Sequence, residues 1–150
     1  MSCFTTGVTV VTAHTQGQDW GMTCNSFNTV SLDPAMVLWS VRKTSHSHAA
    51  FVNAGGYMVN VLGAQQKDVA LKFAQGTQHE RFAEQPLVRG VNQHPRLEGV
   101  IAWFDCRLAQ EVAAGDHDIL IGEVLDFGVH PGHGLAYAQR SFGVLAAFDE

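Results

Sequence analysis

The sequence predicts a mostly β chain folded as a closed antiparallel barrel with two or three short helices, and three observations carry that prediction. Short runs rich in β-branched and aromatic residues recur along the whole chain, separated by compact turn signals rather than long connections. Two stretches switch to helical spacing, each between two strand-like runs where a crossing is needed. Strands and helices do not alternate as βαβ units, and no GxGxxG follows a strand, so a doubly wound nucleotide-binding sheet does not fit.

Taken in order, residues 7–13 (GVTVVTA) are β-branched almost throughout, and residues 15–19 (TQGQD) close a hairpin into a strand from Trp20 onward. Residues 23–30 and 36–41 flank the turn Ser31-Leu32-Asp33-Pro34 and are expected as adjacent strands. Ser45 is placed to cap a short helix through Ala49, Ala50, Phe51 and Val52, which Gly55-Gly56 ends. Residues 57–62 form the next strand, and residues 64–74 a helix with Val69, Ala70, Phe73 and Ala74 on one face, ended by Gly76. Residues 77–96 lack periodicity and read as a long irregular excursion. Residues 97–112 alternate again, with Ala102, Phe104, Cys106 and Leu108 opposite Asp105, Arg107, Ala109 and Glu111. After a turn at residues 113–117, residues 119–129 are apolar on both faces and therefore central, and residues 135–145 close the chain.

With 150 residues, 46% of them hydrophobic and 15% charged, the chain is expected to fold as one domain, residues 1–150, with no linker or repeat. A net charge of -5 lacks the basic footprint of a nucleic-acid binder, and no apolar run is long enough to span a membrane. Neither DNA nor a bilayer is an expected partner. The N-terminus shows no basic segment followed by a cleavage site, and the three cysteines, Cys3, Cys24 and Cys106, have no CxxC spacing. A reducing cytoplasm is the expected setting. His46-x-His48 and His130-x-x-His133 are close pairs without an acidic or thiolate third ligand at a recognisable spacing, so no metal site is expected.

The stretch from Gly21 to Ser45 departs from plain strand chemistry. Thr23, Cys24, Asn25 and Ser26 bring small polar groups where a half-buried strand would alternate, and the following strand ends in Ser40-Val41-Arg42-Lys43-Thr44-Ser45. Hydroxyls and amides on one strand, followed by two cations and hydroxyls at the end of the next, suit a planar polar heterocycle with a phosphate tail. A helix beginning near Thr44 or Ser45 would add backbone donors and a positive dipole end to that anion site.

These residues also resemble a known family. Gly21-x-Thr23-x-Asn25-Ser26-Phe27 followed by Ser31-Leu32-x-Pro34 is similar to the core signature of the flavin reductase-like family. Phe4-x-x-Gly7-Val8-Thr9, Val59-Asn60-Val61-Leu62, Phe73-Ala74, Arg81-Phe82, Gly115-Asp116-His117 and Leu135-x-Tyr137-x-x-Arg140-x-Phe142-Gly143 match further pieces in family order. Two features depart from the family pattern: the chain begins almost at the first strand, and the segment Ala138-Gln139-Arg140-Ser141 is less basic and less glycine-rich than in many relatives.

The resemblance implies an FMN-binding split barrel with Greek-key connections, and an NAD(P)H-dependent flavin reductase that passes hydride from NADH or NADPH to FMN or FAD. It implies a homodimer that hands reduced flavin to a partner monooxygenase. Residue by residue, Thr23, Cys24, Asn25 and Ser26 would lie along the flavin ring, largely through their backbone. Ser40, Val41, Arg42, Lys43, Thr44 and Ser45 would hold its phosphate end, and Phe73 and Phe82 would contact its tail. His117 would orient the nicotinamide as the catalytic residue, with Tyr137 and Arg140 completing the nucleotide site. A non-catalytic flavin-binding or electron-carrier module, and an oxidase of the pyridoxamine-phosphate type, remain open at this level.

Overall fold

The computed structural model describes residues 2–148 and contains twelve strands and three helices. β1 (Thr6–Gly7) and β2 (Thr9–Thr15) lead through the turn Gln16-Gly17 into β3 (Gln18–Cys24). Both turn residues have positive φ, 52° and 72°, as a two-residue hairpin loop matching the strand twist requires. β4 (Asn28–Leu32) and β5 (Ala35–Arg42) form the next hairpin, followed by α1 (His48–Asn53), β6 (Gly56–Val61), α2 (Lys67–Lys72) and α3 (Gln78–Phe82). The short pair β7 (Leu87–Arg89) and β8 (Pro95–Leu97) precedes two long strands, β9 (Ala102–Ala114) and β10 (His117–Val129), and the chain ends in the hairpin β11 (Ala136–Ala138) and β12 (Ser141–Gly143).

Seven strands form one antiparallel sheet in the order β3-β2-β6-β9-β10-β5-β4, with β1-β11-β12 and β7-β8 as separate small sheets. β10 is central, paired with β5 on one side and β9 on the other, as its two-faced apolar pattern predicts. Two buried clusters hold the sheet in place. In one, Trp39 meets Phe51 and Tyr57 edge-on, with centroids 4.8 and 5.8 Å apart. The Tyr57 hydroxyl donates to the Leu120 carbonyl at 3.0 Å. Gly122 is required beside that ring, since a Cβ there would lie 2.5 Å from the hydroxyl oxygen. The second cluster joins Val10, Met58, Leu62, Phe73 and Leu97 beneath α2. All three cysteines are unpaired, and burial pushes the Cys106 thiol up to about 12.

The structure corrects four expectations. The run 23–30 is not one strand: Thr23 and Cys24 finish β3, residues 25–27 leave the ladder, and the hairpin partner of β5 is β4. α1 begins at His48 rather than at Thr44 or Ser45, because the amides ahead of it are already bonded. Ser45 N donates to Arg42 O, Ser47 N to Ser45 Oγ, and Lys43 N to Asp116 O. Residues 77–96 are not irregular throughout, since they contain α3, capped by Thr77 Oγ1 accepting from Glu80 N at 3.1 Å, and most of the β7-β8 pair.

The fourth correction concerns closure. The barrel expected from the sequence is not closed by hydrogen bonds, because β3 and β4 are the two free ends of the sheet. On β3 the outward groups are taken by the helical segment instead of a strand. Thr23 N donates to Phe73 O at 3.2 Å, Gly21 N to Gln78 Oε1 at 2.9 Å, and Arg81 Nη1 donates to Gly21 O at 2.7 Å. Gly21 permits this approach, since a Cβ there would stand 2.7 Å from the Phe73 ring and 3.0 Å from that of Phe82.

Candidate functional site

Where the sheet fails to close, it leaves a cleft of about 890 Å³. The end of β3 and residues 25–26 form one wall, the C-terminal end of β5 with the turn into α1 forms a second, and the segment joining α2 to α3 forms a third. Its size is that of a small-molecule or cofactor site.

The period-two alternation of β5 decides which of its residues reach the cleft. Val37, Trp39 and Val41 point into the core and are almost fully buried, whereas Ser40 and Arg42 on the opposite face line the cleft. Val41 is therefore a core residue, contrary to expectation. Lys43 turns away, placing its Nζ 4.0 Å from Asp118 Oδ1, and Thr44 is exposed outside the cleft. Ser45 remains at the rim, joined by His46 and Ser47, which the sequence reading did not select.

The polar residues at the end of β3 divide similarly. Thr23 Oγ1 donates to Ala70 O at 2.6 Å and so anchors α2. Ser26 Oγ accepts from Ser40 N at 3.0 Å and stitches the departing chain to β5. The Cys24 thiol is buried, 3.4 Å from both Thr9 Oγ1 and Ser26 Oγ. What these residues leave toward the cleft is backbone and the exposed side chain of Asn25, one residue past the last ladder pair, Thr9 with Cys24.

His117 reaches the cleft from the start of β10, where the strand register sets it beside Arg42 on β5. Its Nδ1 lies 2.7 Å from Asp116 Oδ1, which leaves Nε2 available and holds the Asp116 carboxyl below the usual carboxylate range. Phe73 is buried with its ring at the cleft, but Phe82 packs edge-on behind it at 5.1 Å and lines a smaller recess on the far side. Tyr137 and Arg140 do not join His117. They line a separate recess, which shares only Thr23, Cys24, Asn25 and Ala74 with the cleft.

Sequence reasoning also missed Gln78 and Arg81, which reach the cleft from α3. The legible signal was Thr77-x-x-Glu80, a helix-start pattern that makes 78–82 an element with a defined face. Burial pulls the Arg81 guanidinium down from its ordinary value. The lining thus holds two guanidinium groups and two imidazoles and no carboxylate, in a chain whose net charge is -5. Such a lining suits an anionic ligand.

The His46-x-His48 pair does not act as a pair. His46 faces the cleft while His48 Nε2 sits 2.6 Å from Asp118 Oδ2, with the exposed Glu111 carboxylate within 4.8 Å of both. Lys43 already supplies a cation beside Asp118.

Comparison with known proteins adds the family. The model described as "Flavin reductase like domain" matches residues 1–146. The reductase component of a flavin-dependent trigonelline monooxygenase from Acinetobacter baylyi is 44% identical, over 93% of this chain and 45% of its own length. An FMN reductase (NADH) from Agrobacterium fabrum is 42% identical, over 95% of this chain and 81% of its own. Among solved structures, an NADH:FAD oxidoreductase of Streptomyces globisporus in complex with NAD and FAD fragments superposes with a TM-score of 0.91 at 33% identity. That match covers 97% of this chain and 88% of the other. The chain therefore spans less than half the length of the first of these relatives and most of the other two.

Proposed function

The chain belongs to the flavin reductase-like family over residues 1–146, and from that premise we propose that it is an NAD(P)H-dependent flavin reductase acting on FMN or FAD. The observation that carries the reading is the cleft with two guanidiniums and no carboxylate, opening beside an exposed amide and free strand-end backbone at Asn25. Those residues fit a flavin. When bound, that group supplies a ring that accepts two electrons and a proton as hydride from a reduced pyridine nucleotide.

The remaining tasks fall to the chain. Asn25 and the backbone of residues 24–26 would meet the polar edge of the ring, and Arg42, Ser45 and Ser47 would hold the phosphate. Asp116 fixes the His117 imidazole, which then orients the nicotinamide; hydride transfer needs alignment more than a proton donor. We read the sheet as an open split barrel in which residues 25–27 connect β3 to β4 and the segment from Phe73 to Arg81 covers the β3 edge.

Homodimerisation is part of the proposal. β10 outruns β5 beyond Glu123, and there Leu125, Phe127 and Val129 are 51%, 64% and 73% exposed. Such an apolar strand edge needs a cover, and a second copy supplies one. Light scattering at micromolar concentration should give twice the chain mass; a monomer would remove this part. Reduced flavin is then passed to a partner monooxygenase, the setting in which the trigonelline relative is named a reductase component. No helix among the described residues is long and apolar enough to cross a membrane. The function is tested by steady-state oxidation of NADH and NADPH with FMN, FAD or riboflavin. Turnover dependent on added or bound flavin is expected, whereas tightly held flavin without turnover would show a carrier instead.

A further inference from the structure

Gln78 belongs to α3, yet its side chain touches the other two walls of the cleft as well. Its amide oxygen accepts from Gly21 N at 2.9 Å on the edge of β3, and its amide nitrogen donates to Ser47 Oγ at 3.0 Å in the turn before α1. One amide therefore joins all three walls.

The chemistry of these groups fixes the direction of every bond in the chain. A backbone N–H can only donate, so the atom facing Gly21 N is the amide oxygen and the group facing Ser47 is the NH2. That NH2 can only donate in turn, so Ser47 Oγ is the acceptor and its own proton must point elsewhere. Ser45 Oγ is set in the same way, accepting from Ser47 N at 3.2 Å. Among the described residues neither hydroxyl proton has an acceptor. For Ser47, only 4% exposed, this leaves a buried and unused donor at the wall of the cleft.

A donor held in this way discriminates between ligands. A phosphate oxygen accepts the proton in a charge-assisted bond, whereas the hydroxyl that riboflavin carries at the same position forms only a neutral one. We infer that Gln78 is a positioning residue for the flavin phosphate: it holds the Ser47 hydroxyl as a fixed donor and so makes the cleft select FMN or FAD over riboflavin. The inference rests on the flavin reductase reading.

Gln78→Glu reverses the chain with little change of shape. The carboxylate still accepts from Gly21 N, so α3 stays fastened to β3, but its second oxygen also accepts and draws the Ser47 proton away from the ligand. Ser47→Ala removes the donor outright. Kd values for FMN and for riboflavin are measured by fluorescence quenching in both single variants and in the double variant. We expect each single variant to bind FMN about tenfold more weakly, with riboflavin changed by less than about twofold. The double variant should stay within about threefold of Ser47→Ala, because the glutamate then has no hydroxyl to turn and only its charge acts. Gln78→Met, neutral and unable to form either bond, frees the hydroxyl without reversing it and should weaken FMN less than Gln78→Glu does. Losses that multiply to about a hundredfold in the double variant, equal losses for FMN and riboflavin, or a Gln78→Met variant as weak as Gln78→Glu would overturn the inference. The parent reading fails differently. An unaltered protein that binds flavin without oxidising NADH is a carrier, and the same Kd values still decide the role of Gln78; one that binds neither flavin overturns both.

Discussion

Replacing Arg42 by alanine isolates the phosphate contact more cleanly than the sequence alone would allow. Arg42 and Lys43 are adjacent cations, but only Arg42 faces the cleft; the ammonium of Lys43 lies near Asp118 and its backbone N–H is bonded to Asp116. Among the described residues Arg42 makes no ion pair, so its guanidinium is available to a ligand. A charge-assisted hydrogen bond contributes about 1.5–3 kcal/mol, and partial exposure places this one near the lower end. Loss of about 1.5 kcal/mol corresponds to roughly a tenfold weaker Kd. Riboflavin carries no phosphate, so its Kd should move by less than about twofold in Arg42→Ala, and Lys43→Ala should leave both flavins nearly unchanged. Flavin fluorescence quenching at low ionic strength measures all of these. Equal weakening of FMN and riboflavin, or an effect of Lys43→Ala as large as that of Arg42→Ala, would refute the placement of the phosphate at Arg42.

Two further outcomes follow from other parts of the structure. His117→Ala should slow flavin reduction by NADH roughly ten- to a hundredfold in stopped flow, while flavin affinity and reduction by dithionite stay near those of the unaltered protein; undiminished reduction by NADH at every concentration would return His117 to an ordinary turn residue. Burial pushes the Asp19 carboxyl up, but hydrogen bonds from Arg89 and His14 outweigh it and leave it below the ordinary value of 3.8. A lowered folded-state pKa stabilises the fold above that value and the contribution disappears as pH falls through the folded pKa. In urea melts, Asp19→Asn should therefore cost stability at pH 7 and converge with the unaltered protein at the acid end, and a difference constant with pH would show that the carboxylate plays no such role.

Where many of the strands lie along the chain was legible because it rests on local rules. A β-type run beside a turn located β5, alternation located β9, a run apolar on both faces located β10, and the turn at residues 15–19 announced its hairpin. Alternation, applied to β5 as well, separates Ser40 and Arg42 from Val41, since successive side chains must face opposite ways. What could not be read were choices made by distant partners. Thr23 and Ser26 look like ligand-facing residues in sequence, yet their hydroxyls are claimed by Ala70 O and by the β5 backbone at Ser40. Closure failed for a related reason: the β3 edge meets Phe73, Gln78 and Arg81, about fifty to sixty positions away, and no periodicity within β3 records that encounter. The separation of Tyr137 and Arg140 from His117 likewise depends on where the terminal hairpin docks.

The wall that seals β3 also sets how the cleft opens. α3 contributes no fully buried residue of its own, and it is fastened to β3 by Gln78 and Arg81, two polar side chains reaching one glycine. Lifting that segment uncovers the Phe82 ring and the edge of Phe73 it packs on, but neither core cluster as a whole, so its local opening free energy lies below that of the global unfolding which would release Val11 or Tyr57. Amide exchange should record this as weak protection at Gly21 beside strong protection along β2 and β6. For the reductase activity proposed above, in which product departs after every turnover, a mouth that loosens while the sheet stays intact allows fast release without loss of the fold.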